Sequence, residues 1–180
     1  SLIHSGSENG YRQADRTLRT WRGRYKILMD ADDNADGSST ENRLVLDGDL
    51  RGREITLGKL NITADDSIAL KTDAKAELNA AEIRAKNIAV LAGAELTLGS
   101  DSKTKAELTL TPAVGYAAIG GHNGANGEIT LDKLKISMTL PAGSAASGIG
   151  AGRQEALTGC GEIRLTDCEV AAEERSTASS

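Results

Sequence analysis

Apolar and polar residues alternate at period two in five similar phrases along this chain. They read Glu54-Ile55-Thr56-Leu57, Glu77-Leu78-Asn79-Ala80, Glu95-Leu96-Thr97-Leu98, Glu128-Ile129-Thr130-Leu131 and Glu162-Ile163-Arg164-Leu165. Such alternation predicts strands with one buried face, and its return predicts a solenoid whose turns stack on one another. After the first phrase, Leu60 and Ile62 and then Ile68 and Leu70 give two more inward pairs, so each turn carries three short strands. The second turn repeats this with Leu78 and Ala80, Ile83 and Ala85, Ile88 and Val90. In the third, the second pair is delayed to Leu108 and Leu110, so residues 99–105 read as a seven-residue loop inserted at a corner. The fourth supplies Ile129, Leu131, Leu134, Ile136 and Ile149, and the fifth Ile163, Leu165, Cys168 and Val170. The fold expected is all-β, a right-handed parallel β-helix of about five coils over residues 43–172, with a flexible tail at 173–180.

Residues 1–42 break this rhythm. Tyr11, Ala14, Leu18, Trp21, Tyr25 and Leu28 recur at three and four residues with arginines between them, which predicts an amphipathic helix. The end of a β-helix exposes unpaired backbone and apolar side chains, so a helical cap followed by a polar loop is expected here. The stretch from Tyr25 to Met29 equally suits the start of a strand.

Composition agrees with a narrow core. The chain of 180 residues has 20 glycines and no phenylalanine, so its interior must be filled by Leu, Ile, Val and Ala. The net charge of −5 gives no general attraction to nucleic acid or to an anionic membrane, and no apolar run reaches membrane-spanning length. Two cysteines make no disulfide framework. Cys168 falls on an inward position and reads as a buried thiol, while a bond to Cys160 depends on geometry.

The run from Ala117 through Ile119-Gly120-Gly121-His122-Asn123-Gly124-Ala125-Asn126-Gly127 to Glu128-Ile129-Thr130-Leu131, with a looser copy from Ser147-Gly148-Ile149-Gly150-Ala151-Gly152 to Gly161-Glu162-Ile163, carries a family likeness. It resembles the glycine-rich β-helix modules of bacterial surface proteins, built on an Ala-Gly-Ile-Gly-Gly-Gly repeat and often described as carbohydrate-binding. The resemblance covers about two-thirds of the chain, and it implies a secreted or cell-surface protein with a glycan or host-surface partner. It carries over no individual binding residue.

Candidate chemistry is sparse. The loop at Gly120-Gly121-His122-Asn123-Gly124, flanked by Tyr116 and the Glu128 corner, is the expected ligand-facing surface. The plainer reading is a glycine corner between strands. Asp32, Asn34, Asp36 and Gly37 occupy the first, third, fifth and sixth positions of an EF-hand-like loop and are the candidate calcium ligands. Arg43 stands where that loop needs a bidentate glutamate, so a polar turn is the competing reading. If the five phrase-opening glutamates align, they form one outward column, suited either to a cation or sugar hydroxyls or simply to solvent. With His4 and His122 as the chain's two histidines, no metal-ligand spacing and no nucleophile–histidine arrangement is legible. The expected function is non-enzymatic, an adhesin, stalk or carbohydrate-binding module. The alternatives are a lyase or hydrolase of acidic polysaccharide and a self-assembling structural subunit.

Overall fold

The computed structural model describes residues 2–6, 11–12, 17–18, 24–29, 39–100, 102–153 and 159–175. Within these the chain is all-β, with no helix. The strands are β1 (Leu2–Gly6), β2 (Tyr11–Arg12), β3 (Thr17–Leu18), β4 (Arg24–Met29), β5 (Leu44–Leu46), β6 (Glu54–Ile62), β7 (Ile68–Leu70), β8 (Lys75–Ala85) and β9 (Ile88–Val90). There follow β10 (Glu95–Ser100), β11 (Ala106–Leu110), β12 (Ile119–Gly120), β13 (Glu128–Asp132), β14 (Leu134–Leu140), β15 (Ile149–Gly150), β16 (Ile163–Thr166) and β17 (Glu169–Glu174).

These strands make two sheets, which the chain visits alternately from β5 onward. The larger has the order β1-β4-β6-β8-β10-β13-β16, with β11, β14 and β17 continuing it around a corner. The smaller has the order β15-β12-β9-β7-β5-β3-β2. Every pairing from β3 and β4 onward is parallel. The core lies between the sheets. Its rows follow the register: Ile55, Leu78, Leu98 and Leu131 form one, and Leu60, Ile83, Leu108 and Ile136 another. A third row on the smaller sheet joins Leu44, Ile68, Ile88 and Ile119. All of these are buried, and full burial of one such side chain is worth about 1.5–3 kcal/mol. Buried Ser67 and Asn126 at the turns are satisfied. Ser67 Oγ accepts the Lys86 N–H at 2.9 Å and donates to the Ala64 carbonyl at 2.6 Å, and Asn126 Nδ2 donates to the carbonyls of Gly127 and Gly161.

The N-terminal helical cap is not what forms. Tyr11–Arg12, Thr17–Leu18 and Arg24–Met29 are strands. β4 lies parallel on β6 with Tyr25 opposite Ile55 and Ile27 opposite Leu57, β1 lies antiparallel on β4, and β3 lies parallel on β5. Helix propensity is a weak preference and a short isolated helix is marginal. The bare edges of β5 and β6 offer every backbone group a partner. Ile27 then enters the core, 1% exposed, and of the two readings given for Tyr25 to Met29 it is the strand that forms. At the other end β17 runs through Glu174, two residues into the segment read as tail. Ile163, Leu165 and Val170 continue the inward rows but are 37–45% exposed.

Candidate functional site

The structure brings together three of the four loop residues singled out in the sequence. Tyr116 and His122 face each other across a tight hairpin, joined as an antiparallel bridge, and their rings stack with centroids 4.9 Å apart and planes at 27°. The Ala117 N–H donates to the Gly121 carbonyl at 3.0 Å and the Asn123 N–H to Gly115 at 3.2 Å, which closes the turn. Asn123 takes the left-handed conformation with φ 48°, a conformation its side chain tolerates better than most. His122 Nδ1 approaches Asp66 Oδ2 to 3.3 Å, but the alignment makes no hydrogen bond. Asp66 is held from its other side, its Oδ1 accepting from Asn87 Nδ2 at 2.9 Å and its N–H donating to Asn87 Oδ1 at 2.7 Å. Partial burial, with the negative charges of Asp66 and Asp65, pushes the Tyr116 hydroxyl above its ordinary pKa. Tyr116 thus stays a neutral donor. This corner is a packed pair of rings against a fixed carboxylate.

Glu128 lies elsewhere. It lines a shallow cleft of about 200 Å³ with Glu95, Asn126 and Gly161, and the register explains why. Glu95 faces Glu128 on one side and Lys75 on the other, whereas Glu77 faces Thr97. The single glutamate column therefore divides in two. Lys75, Glu95 and Glu128 make one row, and Glu54, Glu77, Thr97, Thr130 and Arg164 the next. Between the second and third turns the sequence phrases slip by two residues, which keeps the inward face inward. The slip moves Glu95 away from Glu77, and although Glu95 still faces Glu128 it pairs with Lys75 and lies 3.7 Å from Arg51. The calcium-loop candidates Asp32, Asn34 and Asp36 lie outside the described residues. Among the described residues no three His, Cys, Asp or Glu side chains converge to hold a metal.

A larger recess is one the sequence reading did not single out. A groove of about 450 Å³ crosses the outer face of β6, β8, β10 and β13, lined by Arg53, Glu54, Glu77, Asn79, Thr97, Gly99, Ser100, Asp132 and Lys133. Three strand spacings make it ~14 Å long. Its cause is local. Thr56, Asn79 and Gly99 are register neighbours on the outer face, and Gly99 breaks that ridge, leaving a gap between the side chains of its neighbours. Just beyond it the chain leaves the sheet. Leu78 and Ile83 are five residues apart but their partners Leu98 and Leu108 are ten apart, so five residues are extra at this corner. Ser100 Oγ donates to the Thr104 carbonyl at 2.5 Å and fixes the base of the excursion. The left-handed Lys133, φ 53°, turns the next corner. The delayed Leu108 and the glycine at 99 are the sequence signals that mark this place.

Within the groove Glu77 accepts the Gly52 N–H at 3.0 Å. The Arg53 Nε is buried and has no hydrogen-bond partner. The wall is made of hydrogen-bonding groups of both signs with no aromatic ring. Both cysteines are free, Cys160 exposed and Cys168 packed on the core. No helix among the described residues is long and apolar enough to cross a membrane. No known protein family, curated protein or solved structure matches the chain.

Proposed function

We propose that this chain is a right-handed parallel β-helix module of a bacterial surface or secreted protein, and that it binds a glycan in the groove over β6, β8, β10 and β13. Handedness follows from the strong preference of parallel crossover connections. The alternation of the chain between two parallel sheets supports the coil, and the glycine phrases around Ile119 and Ile149 support the resemblance to surface modules. The observation that carries the binding reading is the groove itself. Its volume lies in the range of small-ligand sites, and it is long, open and lined by acceptors and donors from four consecutive turns. An extended chain of hydroxyls satisfies such a surface, whereas an apolar ligand leaves its polar groups unpaired. A glycan array on the intact chain tests this. Binding that drops with Asn79→Ala and Thr97→Ala, while Tyr116→Ala keeps it, is the expected result. Binding lost with Tyr116→Ala and kept in the groove variants moves the site to the hairpin.

Self-assembly is the second reading, and one observation favours it. The inward rows end at Ile163, Leu165 and Val170, which stay 37–45% exposed, next to edges of β16 and β17 that carry no further strand among the described residues. Light scattering at increasing concentration separates the two readings. An oligomer dissolved by Leu165→Thr with Val170→Thr supports stacking, and a monomer throughout removes it.

A further inference from the structure

We propose that the glycan this groove takes is acidic, its carboxylates anchored by Arg53 and Lys133. The inference rests on the groove reading above and adds the chemical class of the ligand. Several cations near the groove are matched. Arg51 reaches Asp49 at 2.7 Å, Lys75 pairs with Glu95, and Arg164 reaches Glu162 at 2.7 Å. Arg53 and Lys133 both line the groove, and neither makes an ion pair among the described residues. The Arg53 guanidinium goes further, since its Nε is buried without any acceptor. A buried donor left unpaired is costly, and a charged one more so. Its remaining N–H groups form a planar fork that fits a carboxylate in two parallel hydrogen bonds.

Glu54, Glu77 and Asp132 bring the formal charge of the lining to −1, so the anchor is the local geometry of the two cations and not a net positive field. Glu77 is already engaged by the Gly52 N–H, and Glu54 has an interaction of its own. Asp132 remains as an acceptor for sugar hydroxyls. The cations stand just before β6 and just after β13, at the two outer strands of the groove. Two carboxylates on one extended chain are therefore the match, with hydroxyls meeting Asn79 and Thr97 between them. Because the whole chain carries a net charge of −5, the attraction is local to these two side chains and not a property of the surface.

Calorimetry on the intact chain, with three oligouronates (oligogalacturonate, oligomannuronate and C6-oxidised cello-oligosaccharide), their carboxyl-reduced counterparts and a sulfated oligosaccharide, tests the proposal. At least one oligouronate should bind about tenfold tighter than its reduced form, as one charge-assisted contact implies, and tighter than the sulfated chain. Arg53→Gln and Lys133→Gln should each shrink that ratio severalfold, leaving binding of the reduced form and the melting temperature unchanged. Equal binding of the acidic and reduced forms overturns the acidic specificity while the groove reading stands. Equal binding of the sulfated chain overturns the carboxylate anchor. Failure of all seven probes, together with a blank array, brings down the groove reading itself.

Discussion

At the scale of single residues, backbone conformation carries more than side-chain identity. Asn123 reads in the sequence as an exposed loop side chain that alanine replaces freely. Its φ of 48° changes that expectation. Asn123→Ala should cost about 1 kcal/mol, and Asn123→Gly should cost less or nothing, because only the former forces a Cβ into the left-handed region without the local hydrogen bonds of Asn. Urea denaturation of the two variants checks this. The glycines beside it divide similarly. The positive φ belongs to Gly120, at 140°, where a Cβ would collide with the Gly150 carbonyl of the next turn. Gly121 is restricted instead by the carbonyls of Gly124 and Ala125. Glycine content announces a tight corner, but which glycine is strained depends on the neighbouring strand, here β15 beside β12.

Charge pairs at this scale are local and exposed. The side-chain hydrogen bonds of Arg51 hold the Asp49 carboxyl well below the ordinary carboxylate range, at about 2. A depressed folded pKa means that the pair's contribution is complete above about pH 4 and is lost as pH falls through about 2. With both side chains about half exposed, the effect on stability is small. Arg51→Gln should therefore raise the Asp49 titration midpoint toward the ordinary carboxylate value while leaving the melting temperature nearly unchanged. Carbon-detected NMR of the Asp49 carboxyl measures that shift directly.

At the scale of elements, the period-two signal specifies which face is inward but not which residue sits above which. The inward residues Ile55, Leu78, Leu98 and Leu131 were legible, as was the break after Leu98. The slip that places Leu78 beside Leu98 and not Leu96 was not. It depends on where the preceding turn ends, at Ala74 and Ala94, whose N–H groups bond back to Lys71 and Leu91. The N-terminal stripe was misread because a helical period and a bare strand edge compete, and sequence spacing sees only the first. Register makes a quantitative prediction. Leu131 is buried and its partner in the next strand, Leu165, is 45% exposed. Leu131→Ala should cost about 2–5 kcal/mol, and Leu165→Ala less than about 1 kcal/mol. Denaturant midpoints with unchanged slopes give both values, and comparable losses at the two positions contradict the stacking order.

At the scale of the whole molecule, the first strands finish the stack. β4 and β3 cover the edges of β6 and β5, and β1 closes β4 with an antiparallel pairing. Removing residues 1–29 bares these edges beside Ile55, Leu57 and Leu46 and should yield aggregates or oligomers, read by size-exclusion chromatography with light scattering. A monomer as stable as the parent contradicts that role. The groove belongs to this scale too, which is why it was only half legible. Gly99 and the extra residues before Leu108 are visible in the chain, yet the recess exists only once Glu77, Asn79, Thr97 and Asp132 are set side by side by four strands in register. Tyr116 and His122, by contrast, are neighbours across a short hairpin, close in the chain as well as in space.

The most direct test of the central claim is an amide NMR titration of the intact chain with the tightest-binding oligosaccharide from the array. Binding in the groove shifts the signals of Asn79, Thr97, Gly99 and Asp132 and leaves those of Tyr116, His122 and Asn123 in place. Shifts confined to the hairpin, or none at saturating sugar, contradict it.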